Sequence, residues 1–519
     1  MKPVLVIGAG PVGLMTALAL RFYKVEFKSF EEDASFSSDT KAGTILTRTV
    51  EAFRRYGVDK DVLSKALRLD EIGEVERSTN VRSASVKTEV LQDETRFPFV
   101  LNIPQHHLEP ILAGRLEDMP EGVVNLRHKL LDFRQDADGV VARFETPHGI
   151  EEIEGSYLLA CDGGRSTVRT QLGIEVDGVS LDVRYMLVDV KVDLDQANPR
   201  DYPYLAYFSD PLEWMILVRQ PHCWRFLFPL APGVEEATRD ELEAKVRHFV
   251  GDVTSLEVLN TVVYRVHHRI ASQWRQDRVF LLGDAAHLIT PMWALGLNTG
   301  VLDTINLPWR LAWVLRGWAN PDILNGYERE QKPLATHGSG EMAEAARKLM
   351  SRDKDGQTKA MSGDDWANAM TRTLLGVRID PEGDGDWSLV RTGRDRFRVG
   401  DRVPDLAVFN GSGERVYLHD LCDDSFIALH FADVRRRPRL PENAFHGLKH
   451  YIISRWDAPL DSGLRDRALL DVGNRVRERL GVVEDTVVLL RPDDHVAAIL
   501  PRETGNIDAV YRKILGVSV

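Results

Sequence analysis

Arg278-Val-Phe-Leu-Leu-Gly-Asp-Ala-Ala-His287 is a short apolar run that ends in a Gly-Asp turn. Val279 to Leu282 predicts a buried strand. Gly283 would let a ligand approach the backbone closely, and Asp284 would accept hydrogen bonds from sugar-type hydroxyls. A helix expected from Gly296 to Leu302 would present its first N–H groups to an electron-rich group. The stretch predicts a platform for a large polar cofactor, although an ordinary strand–turn–helix corner has the same pattern.

The N-terminus carries a second pattern. Pro3-Val-Leu-Val-Ile-Gly-Ala-Gly-Pro-Val-Gly13 places G-x-G-x-x-G between a predicted strand and the predicted helix Leu14 to Leu20. Gly8 would form the tight turn, Gly10 would admit a pyrophosphate, and Gly13 would let the helix pack on the strand. A lone G-x-G-x-x-G is a weak signal, but here the strand, glycines and helix agree and favour dinucleotide binding.

Four polar residues outside this motif are candidates for contacts with the same cofactor. Glu31 follows the predicted strand Val25 to Phe30, close to the spacing expected for an acid that binds a ribose hydroxyl. Lys41 and Arg48 would meet phosphate or ribityl oxygens, or would be surface charges. Gln105 is a candidate polar contact or an ordinary residue at the start of a helix.

A third pattern, Cys161-Asp162-Gly163-Gly164-Arg165, follows the predicted strand Ile153 to Ala160. Asp162 and Gly163 predict a turn, and Arg165 offers charge-assisted donors to a phosphate or to a second cofactor. The alternative is a surface turn with basic residues. Cys161 is expected to be a buried thiol and no nucleophile, because no histidine lies near it in sequence.

Residues from about 180 to 270 form β-branched and aromatic runs separated by turn residues. They predict an antiparallel sheet that forms one wall of a pocket. Most aromatic residues of such a sheet belong to the core, so we expect only a minority of the candidates to contact a substrate. The candidates are Tyr204, Tyr207, Met215, His222, Trp224, Arg225 and Phe226.

Composition excludes several classes of protein. The 519 residues carry a net charge of -13, which argues against a nucleic-acid-binding protein. Three separated cysteines form neither a disulfide framework nor a zinc pattern, so a cytosolic location is expected. No uncharged apolar run reaches the length of about 18 residues that a membrane helix needs. The glycines and Pro11 within Val4 to Leu20 argue against a signal peptide.

The three patterns together resemble those of single-component FAD-dependent aromatic hydroxylases, the family of p-hydroxybenzoate hydroxylase and phenol hydroxylase. Three concordant motifs in the same order, over roughly the first 340 residues, are much more specific than one. The motifs are Gly8-x-Gly10-x-x-Gly13, Asp162-Gly163, and Gly283-Asp284-Ala-Ala-His287 with Pro291 and Gly296-Leu-Asn298.

From this resemblance we expect an α/β fold. A Rossmann-type FAD-binding domain at 1–180 and 271–340 would be interleaved with an antiparallel-sheet substrate domain at 181–270. A helical bridging region at 341–395 would lead to a thioredoxin-like domain at 396–519, with a helix expected from Leu464 to Leu480. That domain would be structural or would form a homodimer, because Asp433-Val-Arg-Arg436 stands where a redox domain needs C-x-x-C.

The resemblance also implies roles for single residues. The ADP half of FAD would contact Gly8, Gly10, Gly13 and Glu31. Its ribityl and pyrophosphate region would contact Gly283 and Asp284. Neighbouring loops would add Lys41, Arg48 and Gln105, and both FAD and a visiting NAD(P)H would contact Asp162, Gly163 and Arg165. The isoalloxazine would lie beside Pro291, Gly296, Leu297 and Asn298. Two residues depart from the family: Lys41 replaces a frequent Arg, and Trp293 replaces a common Gly, which would narrow the pocket or restrict flavin movement.

The implied activity is FAD-dependent monooxygenation. NAD(P)H and O2 would hydroxylate a phenolic or related aromatic ring through a flavin C4a-hydroperoxide. Tyr207, His222 and Arg225 are candidates for favouring the phenolate, with Pro291 beside the ring. A monooxygenase of polyketide or antibiotic-type polycyclic substrates and a non-catalytic FAD-binding protein are the alternatives. The Trp-x-Trp-x-Ile-Pro motif of a flavin halogenase is missing, and no metal-ligand or nucleophilic Ser or Cys pattern is found.

Overall fold

The fold is that of a computed structural model, which describes residues 2–37, 43–117, 124–194, 202–210, 214–230, 234, 237–251, 253, 255–351, 363–376, 378–381, 397–432, 440–441, 445–455, 464–483, 485–502 and 506–517. Lys41 and Asp433–Arg436 lie outside the described residues. The longer helices are α1 Pro11–Phe22, α2 Thr47–Arg55, α3 Gln105–Glu117, α4 Arg239–Val250, α5 Leu295–Leu315, α6 Glu341–Ser351, α7 Gly363–Leu374 and α8 Ile507–Leu515.

A six-stranded sheet carries the three sequence patterns. Four of its strands are β1 Val4–Ile7, β2 Phe27–Phe30, β3 Tyr157–Ala160 and β4 Val279–Leu281, in the spatial order β4-β3-β1-β2. Neighbouring strands among these four pair in parallel, so their carboxyl ends lie at one edge of the sheet. Each pattern follows one of these strands, and the three patterns therefore meet at this edge.

The second sheet has eight strands and contains most of the aromatic runs. In spatial order its strands are His287–Leu288, Glu257–Ala271, Val176–Lys191, Trp224–Pro229, Met215–Arg219, Leu205–Ser209, Glu71–Glu76 and Val81–Lys87. We call it the aromatic sheet. Its pairings from Glu257–Ala271 to Leu205–Ser209 are antiparallel, as the sequence predicts. The hairpin 71–87 also belongs to it, an addition that the sequence pattern did not predict.

A seven-stranded sheet forms the C-terminal part. Its strands, in spatial order, are Arg415–Tyr417, Ala407–Asn410, Ala468–Leu470, Leu448–Ser454, Phe426–Phe431, Thr486–Leu490 and Val496–Pro501. The helix expected from Leu464 to Leu480 is wrong: residues 468–470 pair in parallel with Leu448–Ser454, and only Arg475–Leu480 is α-helical, preceded by two short 3-10 turns. The backbone of Gly473 and Asn474 is left-handed, which stops a continuous helix.

Two small sheets complete the described strands. One contains Thr44–Ile45, Val100–Asn102 and Leu67–Leu69, and the other contains Lys129–Gln135, Val140–Thr146 and Gly149–Gly155. Among the helices of the described residues, none has both the length and the apolar character needed to cross a membrane.

A buried network of ion pairs joins α2 to the C-terminal part. Arg48 lies 3.0 Å from the carboxylate of Glu51 and 3.1 Å from that of Asp494. Arg402 pairs with Glu51, and Arg55 pairs with Asp494. Burial alone would raise the pKa of Glu51, but Arg402 and its other cationic neighbours hold that pKa at about 2. The network fixes the C-terminal part against the helix that follows the first small sheet.

We expect Arg402→Met to lower the free energy of unfolding by about 3–5 kcal/mol, because Glu51 would remain buried with an incomplete set of partners. Urea unfolding, with the thermal midpoint as a second measurement, checks this. Arg134→Met is the matched control, since Arg134 pairs with Glu152 on the surface and its loss should leave the midpoint unchanged. An Arg402→Met protein as stable as the parent would contradict a stabilising role for the network.

Candidate functional site

The glycine turn after β1 is built by backbone contacts. A Cβ on Gly8 would lie 2.4 Å from the carbonyl oxygen of Cys161, and a Cβ on Gly13 would lie 2.0 Å from that of Gly8. Gly8 also has a left-handed φ of +96°. The fold itself therefore requires these two glycines. A Cβ on Gly10 would have no atom within 4 Å, so Gly10 borders open space of the kind that an approaching ligand needs.

The open space lies at the N-terminus of α1. Gly10 is the N-cap, no side chain caps the helix, and its first turn contains no acidic residue. The first N–H groups of such a helix and its dipole attract anions. Nearby, one carboxylate oxygen of Glu31 accepts a hydrogen bond from the Ala9 N–H at 2.7 Å. A carboxylate for hydroxyl groups and a helix end for phosphate thus lie side by side, which fits the ADP half of a dinucleotide.

The turn after β3 lies against the glycine turn. Asp162 accepts a hydrogen bond from the Val168 N–H at 3.1 Å through Oδ2. Its buried Oδ1 has no hydrogen-bond partner in the described part of the chain, and burial raises the pKa of this carboxyl. Gly163 has a φ of +75°, and a Cβ added to it would have no atom within 4 Å. Arg165 is exposed. The turn has the polar groups and the space that a ligand contact requires.

The Gly-Asp corner after β4 is organised by Asp303, a residue that the sequence analysis missed. One oxygen of this fully buried carboxylate accepts a hydrogen bond from the Gly283 N–H at 2.8 Å and lies 2.9 Å from His287 Nε2. Gly283 has a φ of +57°, and a Cβ there would lie 3.0 Å from the side chain of Val12 in α1. Asp284 is exposed at the tip of this corner. No local pattern marks Asp303, which lies in the middle of α5.

Arg169 ties the second and third turns together. Its guanidinium donates hydrogen bonds to the carbonyl oxygens of Gly164 and Ala285, both at 2.8 Å. These bonds engage the guanidinium in holding the two turns in register.

Asn298 lies at the start of α5 and joins the residues before this helix to the segment 44–49 by hydrogen bonds. Its Oδ1 accepts hydrogen bonds from the Leu46 N–H at 2.9 Å and the Thr49 hydroxyl at 2.7 Å. Its Nδ2 donates to the carbonyl oxygens of Thr44 at 3.0 Å and Ala294 at 2.6 Å. These four bonds use the full capacity of the amide. The Asn298 side chain therefore has a structural role in place of the expected cofactor contact.

Arg48 and Gln105 also have partners within the protein. Arg48 is buried in the ion-pair network with Glu51 and Asp494, which replaces the expected phosphate contact with a contact to the C-terminal part. Gln105 begins α3, where its Nε2 donates to Glu109 Oε1 at 2.7 Å. The acceptors of Arg48 are more than 400 residues distant in sequence or lie on its own helix, so spacing alone did not reveal them.

The loop from Pro291 to Leu297 follows the Gly-Asp corner in sequence and leads into α5, whose Gly300 packs against Val12 and Gly283. Pro291, Gly296 and Leu297 are half-buried, and α5 begins here with no side-chain cap and no acidic residue in its first turn. Trp293 and Ala294 have φ values of +54° and +58°, although neither is glycine. A left-handed backbone costs such residues about 1–2 kcal/mol each. Surrounding contacts hold this loop in a conformation that its own residues disfavour.

The aromatic sheet has two different faces. Tyr207 points to the face covered by the Pro291–Leu297 loop and by α6 and α7, in one apolar cluster with Trp293 and Trp366. The opposite face packs on α4. Three pocket candidates are wrong because they belong to that opposite core: Met215, Trp224 and Phe226. Side chains alternate along a strand, and the sequence did not show which set faces the loop.

The remaining candidates lie in separate environments. Arg225 forms a buried two-bond ion pair with Asp189, at 2.8 and 3.0 Å. His222 is exposed in a hairpin turn, with its ring 5.6 Å from that of His107. Tyr204 is 38% exposed. The carboxylate of Asp189 compensates the positive charge of Arg225. We therefore do not expect Arg225 to favour the phenolate form of a substrate strongly.

Three tyrosines mark the face that carries Tyr207. Tyr185 and Tyr207 are buried there, Tyr264 is partly buried against them, and burial raises the pKa of each hydroxyl. Tyr185 contacts Trp214 edge to face, with ring centroids 4.9 Å apart. The sequence pattern did not single out Tyr185, Tyr264, Trp214 or Trp366. We call this face, with the loop and helices that cover it, the aromatic chamber.

The described residues contain no group of three His, Cys, Asp or Glu side chains that could hold a metal ion.

Comparison with known proteins gives this geometry its context. The model of the FAD binding domain family matches residues 1–338. Para-nitrophenol 4-monooxygenase of Pseudomonas sp. (strain WBC-3) is 28% identical over 339 residues, which are 64% of this chain and 83% of the relative. Tetracenomycin B2 monooxygenase-dioxygenase of Streptomyces olivaceus is 29% identical and covers 95% of this chain and 94% of its own length. The structure of aklavinone-11 hydroxylase in a ternary complex with FAD and aklavinone superposes with a TM-score of 0.79, at 25% identity and 99% coverage of both chains.

Removing the Glu31 carboxylate tests the dinucleotide site. We expect Glu31→Ala to weaken binding of FAD by about 10- to 100-fold, since hydrogen bonds to a charged group contribute about 1.5–3 kcal/mol. Fluorescence titration of FAD-depleted protein measures the affinity. Glu32→Ala is the control, because Glu32 is the neighbouring exposed acid. Equal affinities for the two variants would reject a role for Glu31 in binding.

Proposed function

The chain belongs to the FAD binding domain family, and from this we propose that it is a monooxygenase that uses FAD, NAD(P)H and O2 to hydroxylate a phenolic aromatic ring. Relatives of this chain are named as monooxygenases and a hydroxylase, and a similar solved structure holds FAD, which supports an oxidoreductase with bound FAD. The observation that carries the proposal is the position of the aromatic chamber, whose cover includes the same loop that leads from the Gly-Asp corner into α5.

The residues at the cofactor edge fit FAD. The open space at Gly10 and the uncapped N-terminus of α1 suit its pyrophosphate, and Glu31 suits the ribose of its ADP half. Asp284 would accept hydrogen bonds from ribityl hydroxyls, and the unpartnered Oδ1 of Asp162 can accept one more. When bound, FAD supplies the electron transfer and the activation of O2, which amino-acid side chains do not provide.

The aromatic chamber provides what the protein must add. Its apolar walls exclude water, and its rings orient a flat substrate by stacking and edge contacts. Because burial raises the pKa of Tyr207, its hydroxyl stays protonated at neutral pH and acts as a hydrogen-bond donor. A donor of this kind can hold the oxygen of a phenol at a fixed distance from the cofactor edge.

A polycyclic substrate is the second candidate. The relative named for tetracenomycin B2 matches 95% of this chain, whereas the nitrophenol enzyme matches 64%. The match includes the C-terminal part that α2 and its ion pairs hold in place. We propose that this part is a thioredoxin-like structural domain without a C-x-x-C motif.

Purification and a visible spectrum test the cofactor first, since a colourless protein that takes up no FAD would end the proposal. NAD(P)H oxidation is then followed with phenol, 4-nitrophenol, 2-naphthol and 1-hydroxyanthraquinone. Measuring hydrogen peroxide and the hydroxylated product separates monooxygenation from oxidase activity. Binding of FAD without ring-stimulated NAD(P)H oxidation would favour a non-catalytic flavoprotein.

We expect Tyr207→Phe to raise the KM for the accepted phenol by about 2- to 10-fold, because one neutral hydrogen bond contributes roughly 0.5–1.5 kcal/mol. Steady-state kinetics with product measurement check this, with FAD content as a test of folding. Tyr204→Phe is the control, because it also removes a tyrosine hydroxyl, but from a residue that is 38% exposed beside the same strand. This variant should keep the parental KM. Parental kinetics in Tyr207→Phe would remove this hydroxyl from the substrate site.

A further inference from the structure

The loop that covers the aromatic chamber contains an unusual pair of residues. Trp293 and Ala294 are the only adjacent non-glycine residues with positive φ in the described part of the chain. Glycine adopts this backbone conformation readily, whereas tryptophan does not. A bulky side chain therefore stands where the local backbone favours none, and its surroundings must compensate for the strain.

The surroundings are aromatic rings of the chamber. The indole of Trp293 is 3% exposed and packs edge to face on Trp366 of α7, with ring centroids 6.2 Å apart. Trp366 in turn lies 6.4 Å from the ring of Tyr207. Three rings thus run from the loop at the cofactor edge to the sheet. Through Trp366, the Trp293 indole is connected to the tyrosine that we propose as a substrate contact.

The geometry points to Trp293 as the residue that sets the size limit of the substrate chamber, with Trp366 as its support. This inference rests on the proposed function and decides between its two candidates, because it names the substrate class of the same site: compact phenols of one ring, with the polycyclic substrates of the second candidate excluded by the indole. Hydrophobic pockets reject an oversized ligand through steric overlap, which interior packing cannot relieve by small movements.

An ordinary packing role for Trp293 makes a different prediction. If the indole only stabilises the core, its removal weakens the binding of all aromatic ligands alike and lowers stability. If it limits size, its removal changes the ratio of affinities for large and small rings. Trp293→Gly suits this comparison because glycine accepts the left-handed backbone without strain.

The experiment measures ligand affinity by calorimetry with phenol, 2-naphthol and 1-hydroxyanthraquinone on the FAD-loaded protein. In Trp293→Gly we expect the affinity for 1-hydroxyanthraquinone relative to phenol to rise by about tenfold or more, on the scale at which hydrophobic pockets discriminate by size. Trp224→Phe is the matched control, since Trp224 is equally buried on the opposite face of the same sheet. Its affinity ratio should equal that of the parent.

An unchanged ratio in Trp293→Gly would overturn the inference, and so would an equal shift in Trp224→Phe. If Trp293→Gly does not fold, Trp366→Ala removes the supporting ring from α7 and should shift the ratio in the same direction; an unchanged ratio there would also overturn it. Turnover is scored separately. If the affinity ratio shifts but no variant forms hydroxylated product, the size limit stands and the monooxygenase activity is rejected. If product forms but the affinity ratio is unchanged, the monooxygenase activity stands and the size limit is rejected.

Discussion

Direct contact between backbones at the carboxyl edge of the parallel sheet is the constraint on which this structure depends. Gly8 lies on the carbonyl of Cys161, and Gly13 lies on the carbonyl of Gly8, with no room for a side chain at either place. Gly300 of α5 also lies close to this edge, since a Cβ there would lie 2.8 Å from the side chain of Val12 in α1 and 3.3 Å from the backbone of Gly283. These contacts bring three turns from distant parts of the chain to one edge. A shared ligand at that edge is a consequence of this packing.

The sequence predicted this edge because its determinants are local. Each motif follows an apolar strand, and parallel strands direct their ends to the same side. The partners of Arg48 and Asn298 were not predictable in this way. Asp494 is 446 residues from Arg48, and Thr44 is 254 residues from Asn298, so only the folded chain shows that both side chains are already engaged. The sheet candidates failed for a third reason. Side chains of a strand alternate between the two faces of the sheet, so Tyr207 lies on one face and Met215 and Trp224 lie on the other. The register between the strands decides which of these faces borders the aromatic chamber.

Helix α2 connects the cofactor edge to the C-terminal part. Thr49 in its first turn bonds to Asn298 at the start of α5, and Glu51 and Arg55 further along pair with Arg402 and Asp494. A charge buried in this network is stable only with its partners present. The C-terminal part therefore contributes to the placement of the helix that borders the site, even though its own residues lie outside the aromatic chamber.

Contacts from several directions also explain how the Pro291–Leu297 loop keeps a disfavoured backbone conformation. The Asn298 amide donates one hydrogen bond to the Ala294 carbonyl oxygen and one to the Thr44 carbonyl oxygen, so the loop is fixed next to α5 by a residue that is itself bonded to a neighbouring segment. Trp293, the residue before Ala294, is held by the ring of Trp366. Strained backbone persists where its surroundings determine it from several directions, and such places concentrate at ligand sites. The position of the indole is thus set by the architecture around the chamber, and the chamber receives its shape from the same contacts that complete the cofactor edge.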